Sequence, residues 1–525
     1  MSRRWMVAAL VALIACFTSG WLLQRQLGTG PDVYQQARLF EEVMAHVRDY
    51  HVDSLPESEL YRRAIDGMLQ QLHDPYAALL VDGDYQRQQE RTTGDYGGVG
   101  LQVDARNGWI RVIAPMAGAP ADRAGIRTGD VLSEVDGTSA EGWTMDRAVQ
   151  ALRGPVGTTL ELAVRREGAA RPTRYRLVRE RIHQRAVPAG LLLGEGVGYL
   201  SLSMIRENSA AELEQEVARL VGLGMKSLVL DLRSDPGGLR DEAVQAADVF
   251  LDPAQDILVS RGRAPGDNHR WTDSRPQRWR DLPLVVLVNR GTASAAEIIA
   301  GALQDHDRAL VVGDTTYGKG IVQTLFPLGP EVALRITTAR WFTPSGRSIQ
   351  GAALDSVMGA RHAADDRGYR SDGGRRLAGG GGIVPDVLLS PDTLTTAEQG
   401  FGRALAGQMA VFRDAVNATA IELRRAGGVQ AATFTVDQPM RDALRRQLES
   451  RGVRLPDTTF QGGERILSQQ LAYEVVRYQF GAAAEQRRRV GDDPQIGEAA
   501  TLLRQAGTAR ALLGLATGPA DLSAH

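Results

Sequence analysis

Apolar and polar positions alternate along the chain in several distinct rhythms. Three short, almost uninterrupted apolar runs, 226–232, 283–289 and 309–312, read as strands buried on both faces. Between them, 208–223, 241–250 and 294–304 carry apolar residues at helical spacing. That alternation predicts a mixed α/β sheet with covered faces. A further strand is expected over 332–340, followed by the run Phe342 to Gly351. Upstream, Phe40 to Val47 and Glu59 to Leu72 have helix-like spacing. The segment between Gly94 and Gly168 instead reads as short strands, 97–103 and 109–113, with a helix from Thr144 to Leu152. Past Pro391, long helical patterns run over 402–425, 440–451 and 464–488. Asp493-Pro494 looks like a cap followed by a favoured first helical residue.

These rhythms divide the 525 residues into an N-terminal segment and linker (1–30), a helical region (31–93), a strand-rich module (94–168), an α/β core (169–390) and a C-terminal helical region (391–525). The stretch 352–382 is rich in glycine and charge and reads as a mobile surface loop. Arg3 and Arg4 precede an apolar stretch from Trp5 to Leu23, nearly long enough to cross a bilayer. The expectation is an anchor in a bacterial inner membrane, arginines inside, with the folded body facing the periplasm. A cleaved signal peptide, processed near Thr18 to Gly20, is the runner-up. Lipidation at Cys16 fits less well, because the apolar run continues beyond it.

With 61 basic and 63 acidic residues the net charge is −2, which implies no global attraction to nucleic acid. The cluster Arg487 to Arg489 reads as a solvated helix end. Cys16 is the single cysteine, so the folded part needs no disulfide, and no His or Cys spacing suggests a metal site.

The candidate chemistry lies in 289–298, where Ser294 precedes a helical run, and in 316–324, which holds Lys319 and Gln323. A serine hydroxyl becomes a good nucleophile when a neighbouring base takes its proton, and a lysine serves as that base only when neutral. A free lysine titrates near ~10.4, so action at neutral pH requires a depression of roughly 3 units, about 4 kcal/mol, for which burial is the available lever. Gln323 offers a carbonyl that could orient the amine. In a straight strand residues 319 and 323 would stand roughly 13 Å apart, so direct contact requires a bend.

Blander readings exist for each residue. Ser294-Ala-Ala-Glu297 is a capping-box signature, and Asp235-Pro-Gly-Gly238 an ordinary turn. The run Gly313 to Lys319 matches part of a phosphate-binding loop, but Gly320 stands where that loop needs a hydroxyl. A Ser-His-Asp set stays open in principle, although His306, the nearest histidine in sequence, sits at a helix end.

Together, the Ser294 segment, the Lys319 segment and the loop Asp231 to Gly238 resemble the carboxyl-terminal processing proteases, or tail-specific proteases, from about Phe40 to Val387. The resemblance implies Ser294 as nucleophile, Lys319 as base and Gln323 as their companion. The Ala295 N–H and one from Gly237 or Gly238 would form the oxyanion hole. It also implies a core fold shared with crotonase and Clp-type proteases, no cofactor, and N-terminal helices used for dimer contacts or a lid. One departure is the long insertion 352–382, which separates segments that lie closer together in many relatives.

The module 94–168 looks like a PDZ domain, carried by Ala124-Gly-Ile-Arg-Thr-Gly-Asp130 and the turn Val135-Asp-Gly137. Such a module adds a chain end as a strand beside its sheet edge and captures the terminal carboxylate with loop amides. Gly98, Val99, Gly100 and Leu101 are the expected carboxylate loop, with Ala148 and Leu152 on the opposite groove wall. The expected partners are proteins with free C-terminal tails, and the expected activity is serine endopeptidase processing or degradation of envelope proteins. A homo-oligomer or an adaptor protein stays open, as does the alternative of a noncatalytic PDZ scaffold on a protease fold.

Overall fold

The computed structural model describes residues 33–106, 108–166, 169–351, 368–389 and 392–516. The chain divides into two compact units, residues 1–79 and 80–525. In the first, helices Val33–Tyr50 and Glu57–Gln70 touch each other and bury few side chains, Met44, Leu60 and Leu69. Arg38, Glu41, Glu42, Arg48 and Asp49 punctuate the first helix, a density of charge that a bilayer interior does not accept.

This corrects the expected membrane anchorage. No helix among the described residues is long and apolar enough to cross a membrane. The anchor as a membrane partner and the inner-membrane, periplasm-facing placement are therefore dropped. The stretch Trp5 to Leu23, on which they rested, lies outside the described residues.

The second unit begins with helix Gly83–Thr93 and an antiparallel sheet in the order Leu101–Arg106, Trp109–Pro115, Val131–Val135, Thr159–Arg165, Thr173–Val178. Period-two alternation turns Ile110, Val112, Leu160 and Leu162 inward, where each is at most 1% exposed. The run expected as one strand over 97–103 is two, because Gly100 turns the chain at φ +69°. Its first part, Asp95–Gly98, pairs with Glu180–His183, where the chain leaves the module.

The core sheet runs Leu191–Leu192, Val197–Ser201, Ser227–Asp231, Leu284–Val288, Leu310–Gly313, Val387–Leu388, parallel beyond its first strand. Alternate residues of these strands face two separate cores. Leu228, Leu230, Leu284, Val286 and Val288 pack with Leu213, Val217, Ala247 and Ile299 from the helices between the strands. Val229, Val285, Leu287, Leu310 and Val312 instead meet Ile496, Ala499 and Leu503 of the C-terminal helix Pro494–Ala506. That helix starts as expected, with the Asp493 side chain accepting the N–H groups of Gln495 and Ile496.

A second sheet joins Asp256–Gly262, His269–Thr272, Ile321–Gly329 and Val332–Phe342. The C-terminal helices between Thr396 and Asp492 build their own core around Phe401, Phe412, Leu444, Leu467 and Leu471. Two long helices expected there are each broken. Gly407 (φ +79°) separates Thr396–Ala404 from Met409–Arg425, and Gly481 (φ +88°) separates Glu464–Phe480 from Ala482–Asp492. The architecture is thus mixed α/β and multidomain, with helical regions at both ends.

Candidate active site

Strand Leu284–Val288 delivers the chain to a loop stitched onto its neighbour. Asn289 Oδ1 accepts the N–H groups of Ser234 and Gly291, and the Thr292 hydroxyl donates to the Leu232 carbonyl. Ser294 follows at φ +54° and ψ −115°, an uncommon conformation for a residue with a β carbon, and opens helix Ala295–Asp305. Such strain persists where surrounding bonds fix it, and gathers at functional sites.

Glu297 supplies much of that fixing. It is fully buried. Its Oε2 accepts the Ser294 N–H at 2.7 Å and the Lys319 N–H at 2.9 Å, while Oε1 accepts the Gly318 N–H at 2.7 Å and the Thr316 hydroxyl at 2.5 Å. Burial pushes its pKa up, and the four donated bonds oppose that shift. The Ser-x-x-Glu spacing reads from sequence only as a cap. In the fold it also ties the serine segment to the lysine segment. The Glu297 N–H also donates to the Ser294 carbonyl at 2.9 Å.

Lys319 lies in irregular backbone just ahead of strand Ile321–Gly329. Its carbonyl accepts the Trp341 indole N–H at 3.1 Å, and its neighbour Gly318 takes φ +83° against the Ile349 carbonyl. The half-buried Lys319 amine donates to Gln323 Oε1 at 2.9 Å. Two features supply the bend this contact needs. Lys319 precedes the strand, and the pairing with Val332–Phe342 shifts register between Val322 and Gln323.

Ser294, Ala295, Lys319, Gln323, Gly237 and Gly238 all line one cavity of about 630 Å³. Helix Gly83–Thr93 adds Gln88, Arg91 and Thr92 to its wall, and Arg240, Arg335 and Trp341 complete the rim. The glycine loop approaches the serine closely. A β carbon on Gly237 would lie 2.7 Å from the Ala295 nitrogen, and one on Gly238 would lie 1.8 Å from the Ile205 carbonyl oxygen. Asp235, which the sequence presents as a turn residue, is buried beneath this loop. Its carboxyl is pushed up to about 7, chiefly by burial.

The six PDZ-module residues do not line this cavity. Gly98 pairs with Glu180, and the Val99 and Gly100 carbonyls accept the N–H groups of Ala121 and Met116. Leu101 begins the strand that ends the sheet order, leaving an edge. Val99, Ala148 and Leu152, at 1%, 1% and 6% exposure, belong to the module's hydrophobic core. The helix Met145–Leu152 turns Ala148 and Leu152 inward.

Elsewhere, His306 bonds Asp372 and the Asp256 carbonyl and does not line the cavity. Among the described residues no group of three or more His, Cys, Asp or Glu could hold a metal ion.

Residues 196–357 match Peptidase family S41, and residues 111–166 match the PDZ domain. A Bartonella bacilliformis protein named carboxy-terminal-processing protease is 38% identical over 328 residues, covering 62% of this chain and 74% of that protein. A Staphylococcus haemolyticus protein named probable CtpA-like serine protease is 30% identical over 359 residues, covering 67% and 72%. Among solved structures, the photosystem II D1 C-terminal processing protease aligns over 68% of this chain and 88% of its own, at 28% identity and a TM-score of 0.36.

Proposed function

Since the chain belongs to the CtpA-like carboxyl-terminal processing proteases of peptidase family S41 and carries a PDZ domain, we propose that it cuts proteins through a Ser294–Lys319 pair after its PDZ domain has captured their C-terminal tails. Serine endopeptidase activity follows from the family, and the assignment of roles to residues is our reading.

The observation that carries it is the Lys319 amine held on Gln323 Oε1 at 2.9 Å inside the cavity that Ser294 lines. The neutral amine takes the Ser294 proton as the hydroxyl attacks the scissile carbonyl. The Ala295 N–H and the Gly237-Gly238 loop receive the oxyanion. Lys319 then returns the proton to the leaving amine, and water, activated the same way, releases the acyl group. Gln323 accepts from the amine and keeps its lone pair directed. The strained backbone of Ser294 favours this reading over a noncatalytic scaffold, since a helix cap alone needs only ordinary extended dihedrals.

The edge strand Leu101–Arg106 and the loop Gly98 to Leu101 are the proposed docking place for a tail, which would add as a strand. The proposed domains are helices to residue 93, PDZ over 94–168, protease core over 169–390 and a helical region beyond. A mostly parallel sheet with the nucleophile at a helix start supports a crotonase- or Clp-like core. The test is cleavage of a tail-bearing protein by the wild type, Ser294→Ala and Lys319→Ala, with free and amidated substrate termini. Turnover is expected to vanish in both variants while binding persists, and amidation is expected to weaken capture. Equal cleavage by all three chains would reject the chemistry, and unchanged affinity after amidation would reject the docking role.

A further inference from the structure

Asp235 sits beneath the glycine loop with its side chain incompletely satisfied. The residue is fully buried. Oδ1 accepts the Gly237 N–H at 2.8 Å, and Oδ2 is buried with no hydrogen-bond partner. Its carbonyl accepts the Ala293 N–H at 2.9 Å, which ties the loop to the residue before Ser294. An ionised carboxylate in such a place would lack the donors that compensate burial, so the geometry favours the neutral acid.

This arrangement also separates the two glycines. The Gly237 N–H is already engaged by Asp235. Gly238 bridges Ile205 through its neighbours, the Gly237 carbonyl accepting from Ile205 N–H and the Leu239 N–H donating to the Ile205 carbonyl. In extended backbone those bonds point one way and the Gly238 N–H the other. Gly238 shares the cavity wall with Ser294 and Ala295. The Ala295 N–H, in the first turn of its helix, has no intrahelical acceptor.

Building on the assignment of Ser294 as nucleophile, we propose that Asp235 is a positioning residue of the oxyanion hole. As a neutral acid it holds the Gly237 N–H, so that Gly238 and Ala295 are the two donors. Its ionisation sets a negative charge behind the hole and weakens it. The surrounding charges leave this switch to Asp235 itself. Arg233, on the same loop, is paired with Asp231 and Asp493; Glu297, on the nucleophile helix, is held by its four donors; the Lys319 amine is held on Gln323. Arg206, ahead of helix Ser209–Gly222, is the charged group whose field reaches it, and this only partly offsets burial. The neutral form dominates below about 7 and is lost as pH rises through that value.

The experiment measures kcat and KM for wild type, Asp235→Asn and Asp235→Ala on a tail-bearing protein across about pH 5 to 9, with Ser294→Ala as blank. The asparagine keeps an acceptor for Gly237 and cannot ionise. Its kcat should match wild type at the acid end and exceed it by up to about tenfold one unit above the transition. Asp235→Ala should lower kcat at every pH by about 10²-fold with KM unchanged. A wild-type pH profile in Asp235→Asn, or equal losses in both variants at all pH, would overturn the proposal. Residual turnover in Ser294→Ala would instead sink the nucleophile assignment on which it rests.

Discussion

One oxygen atom of Glu297 joins the backbones of Ser294 and Lys319. Oε2 accepts both N–H groups, at 2.7 and 2.9 Å, across a gap of 22 residues between Glu297 and Lys319. The two segments that carry the proposed nucleophile and the proposed base are thereby fixed to a single rigid group. Glu297→Gln would turn an amide NH2, itself a donor, toward two of the donors. Each buried donor left unpaired costs about 1–3 kcal/mol. The expected outcome is a clear drop in Tm and, from misplacement of the reacting groups, a fall in kcat of about 10²-fold. Thermal unfolding together with steady-state kinetics checks this; unchanged values in both would show that the clamp is dispensable.

Gln323 accepts from the Lys319 amine at 2.9 Å. Gln323→Glu would place a carboxylate there and favour the ammonium over the amine. The acid limb of the kcat profile should move to higher pH by about 1–3 units. Gln323→Ala should reduce kcat without that displacement. Titrating kcat of the three chains against pH separates orientation from charge; a limb that stays put in Gln323→Glu contradicts the role given to Lys319.

Gly237 and Gly238 leave no space for a side chain. At Gly238 a methyl group would meet the Ile205 carbonyl at 1.8 Å, and at Gly237 it would intrude 2.7 Å from the Ala295 nitrogen. Either alanine variant should displace a proposed oxyanion donor and lower kcat by about 10²- to 10³-fold. Substrate affinity should change little, as equilibrium binding to a Ser294→Ala background would reveal.

His183 joins strand Glu180–His183 to the core. Its Nδ1 faces Asp95 at 2.7 Å and its Nε2 faces Glu212 at 2.8 Å. The bond to Glu212 is the main cause that raises its pKa, with burial opposing and Asp95 assisting. A raised histidine pKa means that the stabilisation is complete below the ordinary value of 6.5 and is lost as pH rises through the folded-state value. Amides of the pair Asp95–Gly98 and Glu180–His183 should therefore exchange faster as pH rises, beyond the intrinsic base-catalysed rate. His183→Gln should remove that excess, and its persistence in the variant would show that the latch lies elsewhere.

The candidate site was legible where it depends on residue type and order. Ser294, Lys319 and Gln323 stand out through the family resemblance that their segments carry jointly, and one cavity is lined by all three with Gly237 and Gly238. The Lys319–Gln323 contact was not, because it depends on a register shift set by the partner strand. Glu297 looked like a cap, since its second bond reaches a segment remote in sequence. Asp235 looked like a turn residue, because burial belongs to the whole fold. Periodicity likewise located the core strands, and the cap at Asp493 the start of helix Pro494–Ala506, but not that this helix covers the strands' second face. Ala148 and Leu152 show the converse limit: helical spacing gives a face and not what that face meets.

The most direct test of the central claim is covalent labelling with a serine-directed fluorophosphonate, read by peptide mass spectrometry on the wild type and a folded Lys319→Ala variant. The label should appear on Ser294 in the wild type and be lost or greatly slowed in Lys319→Ala. Labelling of another residue, or of Ser294 at an undiminished rate without the lysine, would contradict it.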